Sequence, residues 1–344
     1  MKSPKHILVI RLSAMGDVAM TVPVLRALQQ QHPHVRITMV SRKQFEPLFS
    51  GIPNCQFLAA EVDRAHKGFF GVIQLARKAK KHKIDAVADL HHVIRSNIMT
   101  WFFKTLGIRT ATLNKGRAQK KALTKANGNP IQPLISTHER YANVFRELGF
   151  SIDLGLIEPL PSRELSPALA PFIAIPPQKT IGIAPFAAYS SKMYPLPLME
   201  QVIELLSRSA DVQILLFGGA AEKEVLEKMA TPFSNVTSIA GQFSFEEELS
   251  LISNLSIMVS MDSANGHLAA NFGVPVVTLW GVTHPYAGFA PFQQPMEHQL
   301  LSDRKEFPLI PTSVYGNTFP EGYEKVMESI EPITVAEKIK KILN

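Results

Sequence analysis

Short apolar runs alternate with stretches of helical periodicity through the first half of the chain. "HILVIRL", "VRITMVS" and "IDAVADL" read as buried strands and "CQFLAA" as a weaker one, while "PVLRALQQQ", "KQFEPLF" and "FFGVIQLARKAKKHK" read as helices. Strands alternating with helices predict a mostly parallel sheet with helices on its faces. Val22, Leu25 and Leu28 share one helical face, and Thr21 with Pro23 just after it suits a helix start or a kink in a longer helix. Prolines then crowd the stretch "LIEPLPSRELSPALAPFIAIPPQK" and break every periodic pattern, which marks a connector. A second alternating series follows. Its strands are "TIGIAPF", "VQILLFGG", "VTSIAG", "SIMVSMD" and "PVVTLWG". Its helices are "PLMEQVIELLSRS", "EKEVLEKMA", "FEEELSLISNL", a short "NGHLAANFG" and the final "TVAEKIKKIL". The pattern predicts an α/β protein of two doubly wound, Rossmann-like domains. Residues 1–165 form the first, 166–177 the linker and 178–344 the second, with the last helix in the second domain or packed back on the first.

Composition narrows this picture modestly. A chain of 344 residues exceeds one ordinary core, in keeping with two domains. Its formal charge of +7 points to a polyanionic partner: a phosphorylated ligand, nucleic acid or an anionic membrane face. Cys55 is the only cysteine, so an internal disulfide or a multi-cysteine zinc site is excluded and a reducing compartment, the cytoplasm by default, is expected. The apolar run of "MKSPKHILVIRL" is shorter than a signal-peptide core, and no stretch reaches the roughly 20 apolar residues of a bilayer span. Membrane contact is therefore expected to be peripheral at most.

Chemistry concentrates where predicted strands end. After the first strand, "RLSAMGDVA" lacks the G-x-G-x-x-G spacing of a dinucleotide site and carries Arg11, Ser13 and Asp17 instead. In the crevice beyond the strand ends, Asp17 is placed to accept a proton from an acceptor hydroxyl; as an ordinary helix cap it has no such role. In "APFAAYSSKMYP", Ser190, Ser191 and Lys192 precede a proline-led helix, where a lysine offers a point charge to phosphate or simply solvates a loop. In "LLFGGAAEKE", Gly218 and Gly219 let backbone approach a ligand, and Glu222 or Glu224 either receives ribose hydroxyls or compensates the helix dipole. "VSMDSANGHLAANFG" delivers Asp262 and Ser263 at a strand end and opens a helix through a turn at Asn265 and Gly266, whose amides suit a diphosphate. His267 there suits a packed or capping histidine as well as a catalyst. No D-x-D pair or spaced ligand set implies a metal.

Taken in order, "ILVIRLSAMGDVAMTVPVLRAL", "SSKMYP", "LLFGGAAEKE" and "IMVSMDSANGHLAANFGVPVVTLWG" resemble glycosyltransferase family 9, the ADP-heptose:lipopolysaccharide heptosyltransferases. The resemblance implies a GT-B fold and inverting, metal-independent transfer of heptose from ADP-heptose to the lipopolysaccharide inner core. No cofactor is then needed, since the ADP-sugar is a substrate. It implies Asp17 as catalytic base and Lys192 as stabiliser of the diphosphate leaving group. The Glu222 region would hold the ribose, and Asp262 with Ser263, Asn265, Gly266 and His267 the donor sugar and phosphates. The chain departs from the usual family text at "DSANGH", where a proline commonly follows the glycine.

For the acceptor, Arg11 and Ser13 are expected to contribute from the first loop, and "VDRAHKGFF" and "LHHVIRSN" supply Arg64, Lys67 and Arg95, which bind anionic core sugars or form a solvated basic face. "NKGRAQKKALTK" reads as a solvated loop more readily than as a mobile acceptor- or membrane-facing one, and "IMTWFFKTLG" as a buried core helix more readily than as a membrane-facing one. Two other functions fit the same shape. A sugar-nucleotide epimerase would convert donor without acceptor, and a non-catalytic binder of nucleotide or anionic glycan would have no need of Asp17. Nucleic acid is not expected as a partner, because the basic residues are scattered and no recognition module is legible.

Overall fold

The computed structural model describes residues 4–344. The chain divides into two compact units, one running up to Gly116 and resuming over Ile135–Glu158, the other made of Arg117–Leu134 and Pro159–Asn344.

In the first unit β1 (His6–Ile10) leads through α1 (Met15–Ala19) and α2 (Thr21–Gln31) into β2 (Arg36–Ser41) and β3 (Cys55–Ala59). Then come α3 (Gly68–Lys80), β4 (Ala86–Asp89), α4 (Ile94–Thr105) and β5 (Arg109–Thr112). Next, α5 (Arg117–Leu123) belongs to the second unit, and α6 (Thr137–Glu147) returns to the first. All strand pairs are parallel, in the order β3-β2-β1-β4-β5. β1 is buried along its whole length, as its unbroken apolar run requires in the middle of a sheet covered on both faces. Leu8, Ile10, Val40 and Val87 of the strands pack with Val72, Leu75, Met99 and Phe103 of α3 and α4. Strand order reverses direction between β1 and β4, so a crevice opens at their carboxyl ends.

The second unit repeats the scheme with β6 (Lys179–Ala184), α7 (Leu196–Ser207), β7 (Val212–Leu216), α8 (Lys223–Ala230), β8 (Val236–Ser238) and α9 (Phe245–Ile252). It continues with β9 (Ile257–Met261), α10 (Ala264–Ala270), β10 (Val276–Trp280), β11 (Gln299–Leu301) and α11 (Pro332–Leu343). The parallel order is β11-β10-β9-β6-β7-β8, which puts this unit's reversal between β6 and β9.

Several expectations need adjustment. The "KQFEPLF" segment is a 3-10 helix, Lys43–Phe49, because Pro47 lacks the amide that an α-helix would use. The division falls at Glu158 rather than at 165. The stretch expected to be a free linker is fastened to the second unit by Leu160 N–H on the Asn271 carbonyl (2.8 Å), Arg163 N–H on Ser253 Oγ (2.9 Å) and Ala174 N–H on Thr180 Oγ1 (2.8 Å). α11 lies against α7 and β9 of its own unit, burying Val335, Ala336 and Ile339. The "KKALTK" loop is instead helix α5, whose Lys120 is buried with its ammonium 3.8 Å from the centre of the Phe289 ring. α4 is not a core helix throughout: Met99 and Phe103 are buried, but Ile94 and Trp101 on its other side face solvent.

Candidate functional site

Each switch point gathers charge. In the first unit Arg11 leaves the end of β1 buried, with Nη1 donating to the Leu90 carbonyl beyond β4 (2.8 Å) and Nη2 paired with Asp17 Oδ2. Asp17 is the third residue of α1. Ala14 occupies the cap position without a side-chain cap, so Asp17 is not the helix cap that its sequence context allowed. Its carboxylate keeps 29% exposure while its own carbonyl accepts from the Tyr141 hydroxyl (3.3 Å). Ser13, half-buried, lies in the same loop. A reversed strand order and a loop too short to fold away thus put one carboxylate, oriented by one buried guanidinium, at the mouth of the crevice.

Beneath it sits His91, which the sequence reading passed over. Its Nδ1 accepts from Leu12 N–H (3.4 Å), and Asp89 Oδ1 accepts from both the His91 and the His92 amides (2.9 Å each). Burial, then the charges of Arg11, Lys115, Arg95 and Arg42, press the imidazole down to about 3. Arg95 of the expected acceptor set therefore joins Arg11, Arg42 and Lys115 in one cationic field. Arg64 and Lys67 are exposed just ahead of α3, Lys67 at its cap position, and contribute nothing to that field at His91.

The neutral imidazole has a stability consequence. A group whose folded pKa lies below its unfolded value near 6.5 binds its proton more readily when unfolded, so stability falls as pH drops through 6.5 toward 3. His284, pressed to about 4 by burial and then by Arg304, acts in the same sense, whereas half-buried Glu248, raised to about 7 by its desolvation, acts in the opposite one. The His91→Asn variant isolates the first contribution, since an amide oxygen can replace Nδ1 but does not titrate. Between pH 6.5 and 5 the wild type is expected to lose up to about 1.4 kcal/mol per pH unit more than the variant. Denaturant unfolding across that range measures the difference, and parallel curves would refute it.

In the second unit Lys192 ends a 3-10 turn, Ser190–Lys192, after β6, and its Nζ lies 2.9 Å from Asp262 Oδ2 at the end of β9. The Thr283 hydroxyl donates to the same oxygen at 2.9 Å. Lysine and aspartate, 13% and 9% exposed, thus arrive from the two strands flanking the switch point. Ser263 Oγ, buried beside them, has no hydrogen-bond partner. Asn265 and Gly266, expected in a turn, already lie in the first turn of α10, because Ser263 takes the cap position. His267 is the helix's fourth residue and is buried.

Other expected donor residues have structural duties. Glu222 Oε2 accepts from Gly219 N–H at 2.6 Å and closes the turn that opens α8. A Cβ at Gly218 would come within 2.6 Å of Leu226, so that glycine serves helix packing. Glu224 forms an exposed pair with Lys228 one turn on (2.9 Å). Ser190 is exposed, whereas the buried Ser191 hydroxyl donates to the Gly316 carbonyl.

That last bond belongs to a saddle over Lys192. Gly316 has φ +81°, and a Cβ on it would collide with Lys192 Cγ and Cδ; its amide donates to Ser313 Oγ (3.0 Å). A backbone without side chain thereby presses on the lysine stem. Gly316→Ala is expected to destabilise the protein by both the left-handed backbone and the clash, at about 1–2 kcal/mol each. The clash alone should vanish in the Lys192→Ala background. A double-mutant cycle by denaturant unfolding should therefore show coupling of about 1 kcal/mol, and strict additivity would refute the saddle.

Among the described residues no group of three or more His, Cys, Asp or Glu side chains is arranged to hold a metal ion, and no helix is long and apolar enough to cross a membrane.

Two doubly wound parallel units are the architecture of the GT-B fold. The chain belongs to glycosyltransferase family 9 (heptosyltransferase), whose sequence profile matches residues 72–308. It is 24% identical over 302 residues to the lipopolysaccharide core heptosyltransferase OpsX of Haemophilus influenzae, covering 83% of this chain and 81% of that one. In fold it is similar to a family 9 glycosyltransferase of Veillonella parvula, with TM-score 0.75, 19% identity, and 98% and 97% of the two chains covered. It is also similar to ADP-heptose lps heptosyltransferase II of Escherichia coli, with TM-score 0.68, 20% identity and 98% of each chain covered.

Proposed function

We propose that this glycosyltransferase moves a heptose from ADP-heptose to a hydroxyl of the lipopolysaccharide inner core, with inversion and without a metal. The observation that carries the reading is that each unit offers, at its own switch point, the group that one half of a single displacement needs. Asp17 Oδ2 is occupied by Arg11, which leaves Oδ1 to take the proton of the acceptor hydroxyl. As that proton leaves, the acceptor oxygen bonds to the anomeric carbon, and the bond from that carbon to the ADP oxygen breaks with its electron pair on the phosphate. Lys192 meets the new charge by exchanging Asp262 for a phosphate oxygen, while Thr283 keeps its hydrogen bond to the carboxylate. A fixed ammonium does what a bound cation would do there. Asp262, Ser263 and the start of α10 face the donor, and Arg95 with Arg64 and Lys67 face the anionic acceptor.

The relatives named for the lipopolysaccharide core support this donor and acceptor, and the solitary Cys55, half-buried with its thiol pushed up to about 12 by desolvation, suits a cytoplasmic location. Purified protein mixed with ADP-heptose and truncated core acceptors should release ADP only when both are present, with a product heavier by one heptose. Conversion of ADP-heptose without acceptor would establish an epimerase instead, and binding without conversion a sugar-binding protein.

A further inference from the structure

We infer that His91 contacts the sugar acceptor: its Nδ1 pins the loop that carries Asp17, and its Nε2–H holds an acceptor oxygen beside the hydroxyl that Asp17 deprotonates. The inference rests on the transfer reading and adds a residue to it. The carboxyl ends of β1 and β4 are joined twice. Arg11 Nη1 donates to the Leu90 carbonyl (2.8 Å) while Nη2 of the same guanidinium holds Asp17 Oδ2. One residue further along each loop, Leu12 N–H donates to His91 Nδ1 (3.4 Å). His91 is thus fastened to the same short loop as the base. Its own loop is held as firmly. The buried Asp89 carboxylate accepts from the His91 and His92 amides (2.9 Å each). His92 takes left-handed backbone, φ +49°, and its Nδ1 donates to the Leu113 carbonyl beyond β5 (2.8 Å). A residue other than glycine stays in that conformation only where fixed partners hold it, and here they fix the ring of its neighbour.

The bonds of the ring decide its chemistry. A backbone amide can only donate, so Nδ1 carries the lone pair of the neutral imidazole and Nε2 its hydrogen. Among the described residues Nε2 meets no hydrogen-bond partner, yet it is not sealed from water as Ser263 Oγ is, so the ring's remaining 9% exposure includes it. With its one lone pair committed to Leu12, His91 is not a second base. Burial, then the charges of Arg11, Lys115, Arg95 and Arg42, keep the ring neutral, so it is not an acid either. What remains is a single fixed N–H donor at the carboxyl edge of β4. Surrounded by those cations, it suits an oxygen lone pair of a ligand and repels an ammonium. Asp17 and this N–H reach the crevice from the two strands of the switch point, which is the arrangement that fixes one sugar hydroxyl against its neighbours.

Two substitutions divide the ring's duties, because each amide reproduces one nitrogen. In His91→Asn the amide oxygen replaces Nδ1 for Leu12 N–H, but nothing reaches the place of Nε2. In His91→Gln the longer side chain brings its NH2 to that place and gives up the fixed partner of Leu12. ADP release is followed against truncated core acceptor at saturating ADP-heptose, and calorimetry with ADP serves as the folding control. His91→Asn should raise the acceptor KM roughly three- to tenfold with kcat within about twofold of wild type, as one hydrogen bond made equally in the ground and transition states requires. His91→Gln should return the acceptor KM to within about twofold of wild type while unfolding at lower denaturant than His91→Asn. ADP affinity should be the same in all three proteins. An unchanged acceptor KM in folded His91→Asn, or an equal rise in both variants, would overturn the contact. So would a fall in kcat alone, which would make His91 a structural support of the Asp17 loop. Wild-type protein that binds ADP-heptose but transfers to no core acceptor would overturn the transfer reading instead. Calorimetry with acceptor alone then judges His91 separately: weaker binding by His91→Asn than by wild type upholds the contact, and equal or absent binding overturns it.

Discussion

Asp17→Asn is expected to lower the turnover number for sugar transfer by roughly two to four orders of magnitude while ADP-sugar affinity stays near wild type. Asparagine keeps the size of the side chain, and its oxygen can still accept from Arg11, but it takes up no proton at neutral pH. Arg11 remains anchored on the Leu90 carbonyl, so the loop should hold its shape. Losing one charge from a pair whose carboxylate is 29% exposed should cost about 1 kcal/mol or less, a small shift in thermal midpoint. The three measurements separate the roles of Asp17. A purely structural aspartate would show up as lost stability with near-normal transfer, and a donor-binding one as a raised donor KM. Near-normal transfer by a folded variant would remove Asp17 as the base.

What the sequence reveals and what it hides divide along a physical line. β1 and β9 are legible because a strand buried on both faces must be almost continuously apolar, and the polar residues that follow directly, Arg11 and Asp262, stand out at the first position where polarity is tolerated, with Asp17 a short loop further on. The Lys192–Asp262 pair follows from topology, since β6 and β9 are neighbours at the reversal of strand order. Thr283 and Gly316 are not legible, because each matters through a partner distant in sequence: Ser191 and Gly316 are 125 positions apart and sit in loops without periodicity. His91 is hidden for a related reason. Its local text gives a histidine pair, and only the converging Arg11, Arg42, Arg95 and Lys115 show why it stays neutral. The basic α5 misleads because a lysine-rich stretch normally means solvent, whereas the Phe289 face and a long aliphatic stem let Lys120 be buried. Exposed Trp101 shows the converse: apolar spacing that suits a core helix says nothing about which apolar residues find partners.

Lys192→Met should reduce both stability and function, and a companion change at Asp262 should tell the two apart. Removing the ammonium leaves the Asp262 carboxylate, 9% exposed, with Thr283 as its remaining side-chain donor in the pair's network, at a cost of about 2 kcal/mol. Adding Asp262→Asn removes the uncompensated charge, so the Lys192→Met/Asp262→Asn protein should recover most of the lost unfolding free energy. Donor binding should not recover. A charge-assisted contact to phosphate is worth about 1.5–3 kcal/mol, so affinity for ADP itself should stay roughly tenfold to a hundredfold weaker in both proteins. Turnover should fall further than affinity, because negative charge on the leaving oxygen is greatest as its bond to the anomeric carbon breaks. Calorimetry with ADP, unfolding in denaturant and transfer rates on the two proteins measure these effects separately. If the double variant regained ADP affinity together with stability, Lys192 would be a structural partner of Asp262 and the phosphate contact would have to come from elsewhere in the second unit.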